Sequence, residues 1–198
     1  MALQDSNDVN EEKVIDLMVE QKEIIDCIDN IRKQLRGQGL EWNRFRGNAI
    51  SNIVAHYLQQ HLPESVKVAK LAWIEGCPTE FDLLVVDKGA TPFDFTDAYP
   101  KENVRLTIEV KGSGVFYRRA DVKKRLSGFF EKWKLETGKP SVYLSIWEAK
   151  AHVQEVRDAL GDDRSFILEI EGEDMTWREW ERFLKEVNTI IQSSTKPA

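Results

Sequence analysis

The chain has only two cysteines in 198 residues, Cys27 and Cys77. Two are too few for a disulfide framework or a cysteine-built zinc site, and their scarcity points to a reducing compartment. Long hydrophobic runs are also missing: no stretch approaches the roughly 18 apolar residues that a membrane span requires. The first ten residues, Met1 to Asn10, are polar and lack the apolar stretch of a signal peptide. The expectation is a cytoplasmic protein that does not enter the membrane. An excess of positive charge is absent as well. There are 28 Lys and Arg against 34 Asp and Glu, so 28 − 34 = −6. That balance excludes a non-specific coat for nucleic acid but leaves room for a local basic groove. The three histidines, His56, His61 and His152, show no metal-ligand spacing and read as surface residues. Lys111-Gly112-Ser113-Gly114 has neither the length nor the following lysine of a phosphate-binding loop. Internal repeats, low-complexity tracts and a nucleophile triad are likewise not found.

What is present is an ordinary globular composition, 41% hydrophobic and 31% charged. From about Asp8 to Arg36 there is neither Gly nor Pro, and Val14, Leu17, Ile24, Ile28, Ile31 and Leu35 recur at helical spacings. This predicts an amphipathic helix of roughly 28 residues, about 42 Å long, stopped by Gly37-Gln38-Gly39. Such a helix either lies across its own core or serves as a dimerising arm. The chain accordingly divides into a helical arm over 1–39 and an α/β domain over 40–198. A second helix is expected over Arg44 to His61, ended by Pro63. Strands follow at Val66–Ile74, Glu80–Asp87 and Arg105–Lys111. After them come a helix over Arg118–Thr137, a strand over Ser141–Trp147, a helix over His152–Leu160, a strand over Phe166–Ile170 and a helix over Thr176–Ile191. Asp174 or Thr176 is the expected cap of the last helix, with Trp177 and Trp180 on its apolar face. The order implies a mixed sheet flanked by helices, antiparallel at first and then joined by helical crossovers.

Three residues carry chemistry if these strands pair. Glu109 and Lys111 are two apart on one strand, so both leave the same face of the sheet. Asp82 lies on the preceding strand, which a hairpin brings alongside. Two carboxylates this close repel unless a cation stands between them. Hard oxygen ligands suit Mg²⁺ or Mn²⁺, and Mg²⁺ commonly uses only one or two carboxylates. A lysine beside such a cation can orient water or stabilise charge on a phosphate oxygen. The trio is therefore an apparatus for phosphodiester hydrolysis.

Pro78 and Asp82 followed by Glu109-Val110-Lys111 resemble the motif of the PD-(D/E)xK nuclease superfamily, which has the restriction-endonuclease-like fold. The surrounding order of elements, over roughly Arg46 to Trp147, is similar too. The resemblance implies that Asp82 and Glu109 are metal ligands, that the Val110 carbonyl is a further one, and that Lys111 is the catalytic lysine. It also implies Mg²⁺ or Mn²⁺ as cofactor and DNA as substrate. Two features depart from the pattern. Many members carry a glutamate in the preceding helix, where this chain has Ser51 within Gly47–Leu58. And 26 residues separate Asp82 from Glu109, an unusually long connection.

That connection includes Lys88–Asn103, with Phe93, Phe95 and Tyr99, and is read either as aromatic packing over the sheet edge or as a loop that enters a nucleic-acid groove or meets a partner. Arg118, Arg119, Lys123, Lys124 and Arg125 form a local cationic run beside the motif, and Arg44 and Arg46 extend it. Such cations can hold a phosphate backbone, or simply face solvent. The leading expectation is a Mg²⁺-dependent DNA endonuclease, active as a homodimer joined through the first helix. The alternative is a nuclease-fold protein that does not cut and acts as a DNA-binding or complex-forming subunit.

Overall fold

The computed structural model describes residues 8–34, 41–112, 122–161, 163–173 and 178–194, and the side chains of these apart from 8–13, 41–46, 122–127 and 129. The elements in chain order are α1 (Asp8–Gln34), α2 (Glu41–His61), β1 (Val66–Ile74), β2 (Glu80–Asp87), β3 (Ala98–Tyr99), a 3-10 turn (Lys101–Asn103), β4 (Val104–Lys111), α3 (Val122–Thr137), β5 (Ser141–Glu148), α4 (Lys150–Leu160), β6 (Ser165–Ile170) and α5 (Glu179–Ser194). The strands form one sheet in the order β3-β1-β2-β4-β5-β6. β1, β2 and β4 pair antiparallel, whereas β4, β5 and β6 pair parallel. The change of sense follows from the connections: a short turn joins β1 to β2, while α3 and α4 supply the crossovers that parallel strands need.

Because helices cover both faces, the central strands read as nearly unbroken apolar runs rather than as alternations. On the inner face α1, α2 and α5 close the larger core, built from Ile24, Ile28, Leu58, Leu83, Ile108, Leu144 and Phe183 among others. On the outer face Phe81, Leu84, Val86, Val104 and the α3 residue Trp133 form a second core. Phe81 and Trp133 meet edge-to-face at 4.7 Å. Tyr143 and the α4 residue Val156 continue that face. α1 is fastened as well as packed: the Gln21 amide donates to the Leu168 carbonyl at 2.9 Å and accepts the Trp180 N–H at 3.0 Å.

Several details depart from the sequence reading. α2 starts at Glu41, ahead of Arg44. The Lys88–Asn103 connection is not structureless, because Ala98–Tyr99 pairs parallel with Trp73–Ile74 and satisfies the outer edge of β1. Of its aromatics, Tyr99 packs on the outer-face core, but Phe93 and Phe95 are exposed. His61 is half-buried rather than a plain surface residue, with Nε2 2.7 Å from Glu20 Oε2, which ties α2 to α1. Trp180 is buried as expected, stacked on Phe183. Asp174, Thr176 and Trp177 lie outside the described residues. Among those described, no helix is long and apolar enough to cross a membrane.

Candidate active site

The site forms where the β2–β4 ladder ends. Its last pair on that side is Leu83↔Ile108, and one further step of the same register sets Asp82 opposite Glu109. In place of another ladder hydrogen bond, the Val110 N–H donates to Asp82 Oδ2 at 2.8 Å. The Lys111 ammonium lies 3.5 Å from the same oxygen and in contact with Glu109 Oε1. The three residues named from the sequence spacing therefore come together, two carboxylates converging on one amine. Ile108 and Val110 point into the inner core, so Glu109 and Lys111 leave the outer face, the one that carries Trp133 of α3. The neighbouring strand completes the floor: Tyr143 sits beside Glu109 and Ser145 beside Lys111, both fully buried. Neither was singled out from the sequence, because only the parallel β4–β5 register brings them there.

Burial dominates the electrostatics. Glu109 is 7% exposed, and desolvation pushes its pKa from the ordinary 4.5 up to about 7, with Asp82 adding repulsion and Lys111 opposing both. For Lys111, burial works against the charged form, but the Glu109 and Asp82 carboxylates outweigh it and hold the pKa above its ordinary value. The amine is thus a fixed cation, and Glu109 is a carboxyl poised to gain or lose charge near neutrality.

The end of β4 is closed by packing. A side chain at Gly112 would run into the Ile50 side chain of α2, so the absent Cβ is what lets that helix come against the strand directly after Lys111. Gly112→Ala is expected to lower stability by about 1 kcal/mol, since Ile50 must change rotamer. Thermal denaturation measures this, and an unchanged midpoint would show that the close approach is not needed. Ser51, which stands where the motif that the sequence resembles has a helix glutamate, is 1% exposed and contributes no acid. Among the described residues no group of three or more His, Cys, Asp and Glu side chains forms a metal cage. Asp82 and Glu109 nonetheless suit a Mg²⁺ ion, which keeps most of its waters and takes one or two carboxylates. Arg118 and Arg119 lie outside the described residues, as do the side chains of Arg44, Arg46, Lys123 and Lys124.

A cavity of about 330 Å³ lies elsewhere, lined by Phe130, Lys134, Lys139, Pro140, Ser141 and Leu160 among others. Ser141 pairs with Thr107, four residues before Lys111, which places the cavity about 13 Å along the strand from the trio. Burial and the nearby Arg105 and Lys101 lower the pKa of Lys139. The cations there gather at the carbonyl end of α3, where Lys101 Nζ donates to the Glu136 carbonyl at 3.3 Å, as a helix C-terminus favours. The cavity is separate from the carboxylate site.

No protein-family model and no curated protein matches the chain. Solved structures do. The cAAA-bound form of NucC from E. coli MS115-1 superposes with a TM-score of 0.55 at 17% identity, over 75% of this chain and 69% of that one. The cAAA-bound form of NucC from P. aeruginosa ATCC27853 gives 0.45 at 17% identity, over 88% and 72%. The apo form of the E. coli protein gives 0.44 at 16%, over 74% and 75%. At these identities the likeness is one of fold: the chain has the nuclease-like α/β arrangement, a mixed sheet flanked by helices.

Proposed function

We propose that this protein is a divalent-cation-dependent endonuclease that hydrolyses DNA phosphodiester bonds at Asp82, Glu109 and Lys111. The observation that carries the reading is the convergence of two carboxylates from adjacent strands on a single lysine amine, within a fold similar to that of NucC. The Asp82 and Glu109 carboxylates would hold Mg²⁺ or Mn²⁺, with the Val110 carbonyl as the further oxygen that the superfamily motif implies. When bound, such a cation supplies an acidified water and a charge against the phosphoryl oxygens. Lys111, kept protonated by its two neighbours, acts as a donor to a phosphate oxygen and orients the attacking water. Asp82 is held in place by the Val110 N–H, so one ligand is fixed by backbone before any substrate arrives. Arg118, Arg119, Lys123 and Lys124, with Arg44 and Arg46, are assigned to the DNA backbone. One such site cuts one strand, so a double-strand break takes two copies. The exposed apolar residues Ile15 and Val19 of α1 are where a second copy is placed.

The test is cleavage of supercoiled plasmid and of single-stranded DNA in Mg²⁺ and in Mn²⁺, beside Asp82→Ala. Cation-dependent nicking by the wild type that vanishes in the variant is expected. The absence of an acid at Ser51 favours a second reading, a non-cutting subunit of the same fold. Salt-dependent DNA binding with no cleavage in either metal would replace the first reading by that one.

A further inference from the structure

Leucine rarely adopts a left-handed backbone, yet Leu71, within β1, has φ 50°. Its neighbours pair with β2 in a single register, Lys70↔Leu83 and Ala72↔Phe81, and the residue opposite Leu71 in that register is Asp82. The faces of both strands change at this point. Residues an even number apart on a regular strand share a face. Along β2, Leu83 and Val85 lie in the inner core, but Phe81, two residues before Leu83, lies in the outer one beside Leu84. Along β1, Val66 faces the inner core and Ala69 the outer, yet Ala72 and Ile74 also face the outer. Each strand therefore loses its alternation once, and because both do so at the same rung, the register survives. The contrast with Arg105 is instructive. There the pairs Val85↔Leu106 and Val86↔Val104 show an extra residue in β4 alone, and the register shifts.

We propose that Leu71 is the positioning residue of Asp82. Its left-handed backbone turns the last rungs of β1 and β2 together, carries Phe81 onto Trp133, and so ends the β2–β4 ladder at Leu83↔Ile108. With the ladder ended, the Val110 N–H is released to the Asp82 carboxylate, which is thereby aimed at Glu109 and Lys111. An extended residue 71 restores alternation, returns Phe81 toward the inner core and draws Asp82 away from Val110. The consequence for cation binding rests on the function proposed above; the placement of Asp82 does not.

The experiment compares Leu71→Val, whose β-branched side chain resists positive φ, with Leu71→Gly, which accepts it freely. Two readouts are taken on the full chain. One is the NMR shift and hydrogen-exchange protection of the Val110 amide, with Asp82→Ala, which has no acceptor, as reference for the lost hydrogen bond. The other is Mn²⁺ affinity by calorimetry. Leu71→Val is expected to expose the Val110 amide as Asp82→Ala does and to weaken Mn²⁺ by at least about tenfold, the scale of lost support behind a metal ligand. Leu71→Gly is expected to keep the Val110 amide protected and its affinity within about twofold. If Leu71→Val does not fold, Leu71→Asn against Leu71→Ala makes the same comparison, since asparagine tolerates left-handed backbone and alanine does not. A Val110 amide unchanged in Leu71→Val, or lost equally in Leu71→Gly, overturns the proposal. A wild type that binds no Mn²⁺ while the Val110 amide follows this pattern removes the nuclease reading and leaves the positioning role standing.

Discussion

Lys111→Met is expected to lower the stability of the cation-free protein by about 2–3 kcal/mol at pH 8, a fall in melting temperature of about 5–10 °C for a chain of this size. The reason lies in who opposes whom at the site. Burial is what raises the Glu109 pKa, Asp82 adds to it, and Lys111 is the group that pulls it back. Methionine keeps the alkyl stem and removes the charge, leaving two carboxylates on one face with no cation between them. Breaking a fully buried pair from one side costs about 3–5 kcal/mol; the side chains of Lys111 and Asp82 are 23% and 26% exposed, so water moderates the penalty. The sign with pH is fixed by the direction of the shift. A carboxyl whose folded pKa is raised contributes stability that is fully present below its unfolded value and lost as pH rises through the folded one. Without Lys111 that folded value moves higher still, so the deficit is largest at pH 8 and shrinks toward pH 4.5, where Glu109 carries its proton in both proteins. Thermal melts in chelator at the two pH values measure it. An equal loss at both would assign the effect to packing of the stem and not to charge.

How much of this was legible in the sequence depends on whether the information is local. Gly138-Lys139-Pro140 after an amphipathic run marks the end of α3, and the run of apolar residues in Glu80–Asp87 marks a central strand, because breakers and periodicity act within a few residues. The trio was legible for the same reason: the two-residue spacing of Glu109 and Lys111 fixes a shared face once the segment is extended. β3 was not legible, since two residues carry no period and its existence depends on the exposed edge of β1. Nor was the bond between His61 and Glu20, 41 positions apart in the chain. The left-handed Leu71 left no trace at all. Leucine has no propensity that announces positive φ, and the slip in alternation shows only when the two cores are seen to exchange residues. The hydrogen bond from Val110 to Asp82 lies at the rung of that slip, so the geometry that gathers the trio was hidden even though its members were not.

Glu109→Gln is the sharpest test because it should move activity and stability in opposite directions. Cleavage is expected to fall by at least about 10³-fold, roughly 4 kcal/mol of transition-state stabilisation, since the amide can neither carry charge nor act as a hard anionic ligand. Stability is expected to rise at pH 8. Holding the Glu109 pKa at about 7 instead of 4.5 means the folded protein bears a cost for the ionised carboxyl, at about 1.4 kcal/mol per unit. Glutamine removes that cost, in which the attraction of Lys111 is already counted, so the gain is about 3 kcal/mol, or a melting temperature higher by about 6–12 °C. The linkage sign gives the pH window. The wild type loses stability as pH climbs from 4.5 through 7, the variant does not, and the two melting curves should coincide at pH 4 and separate by pH 8. Lys111 keeps a partner in Asp82, which limits what the substitution forfeits. Calorimetry in chelator at both pH values, beside plasmid cleavage in Mg²⁺, supplies the two readouts. A variant that is inactive and also less stable at pH 8 would mean that the carboxylate is part of the packing and that its burial is not a cost borne for chemistry.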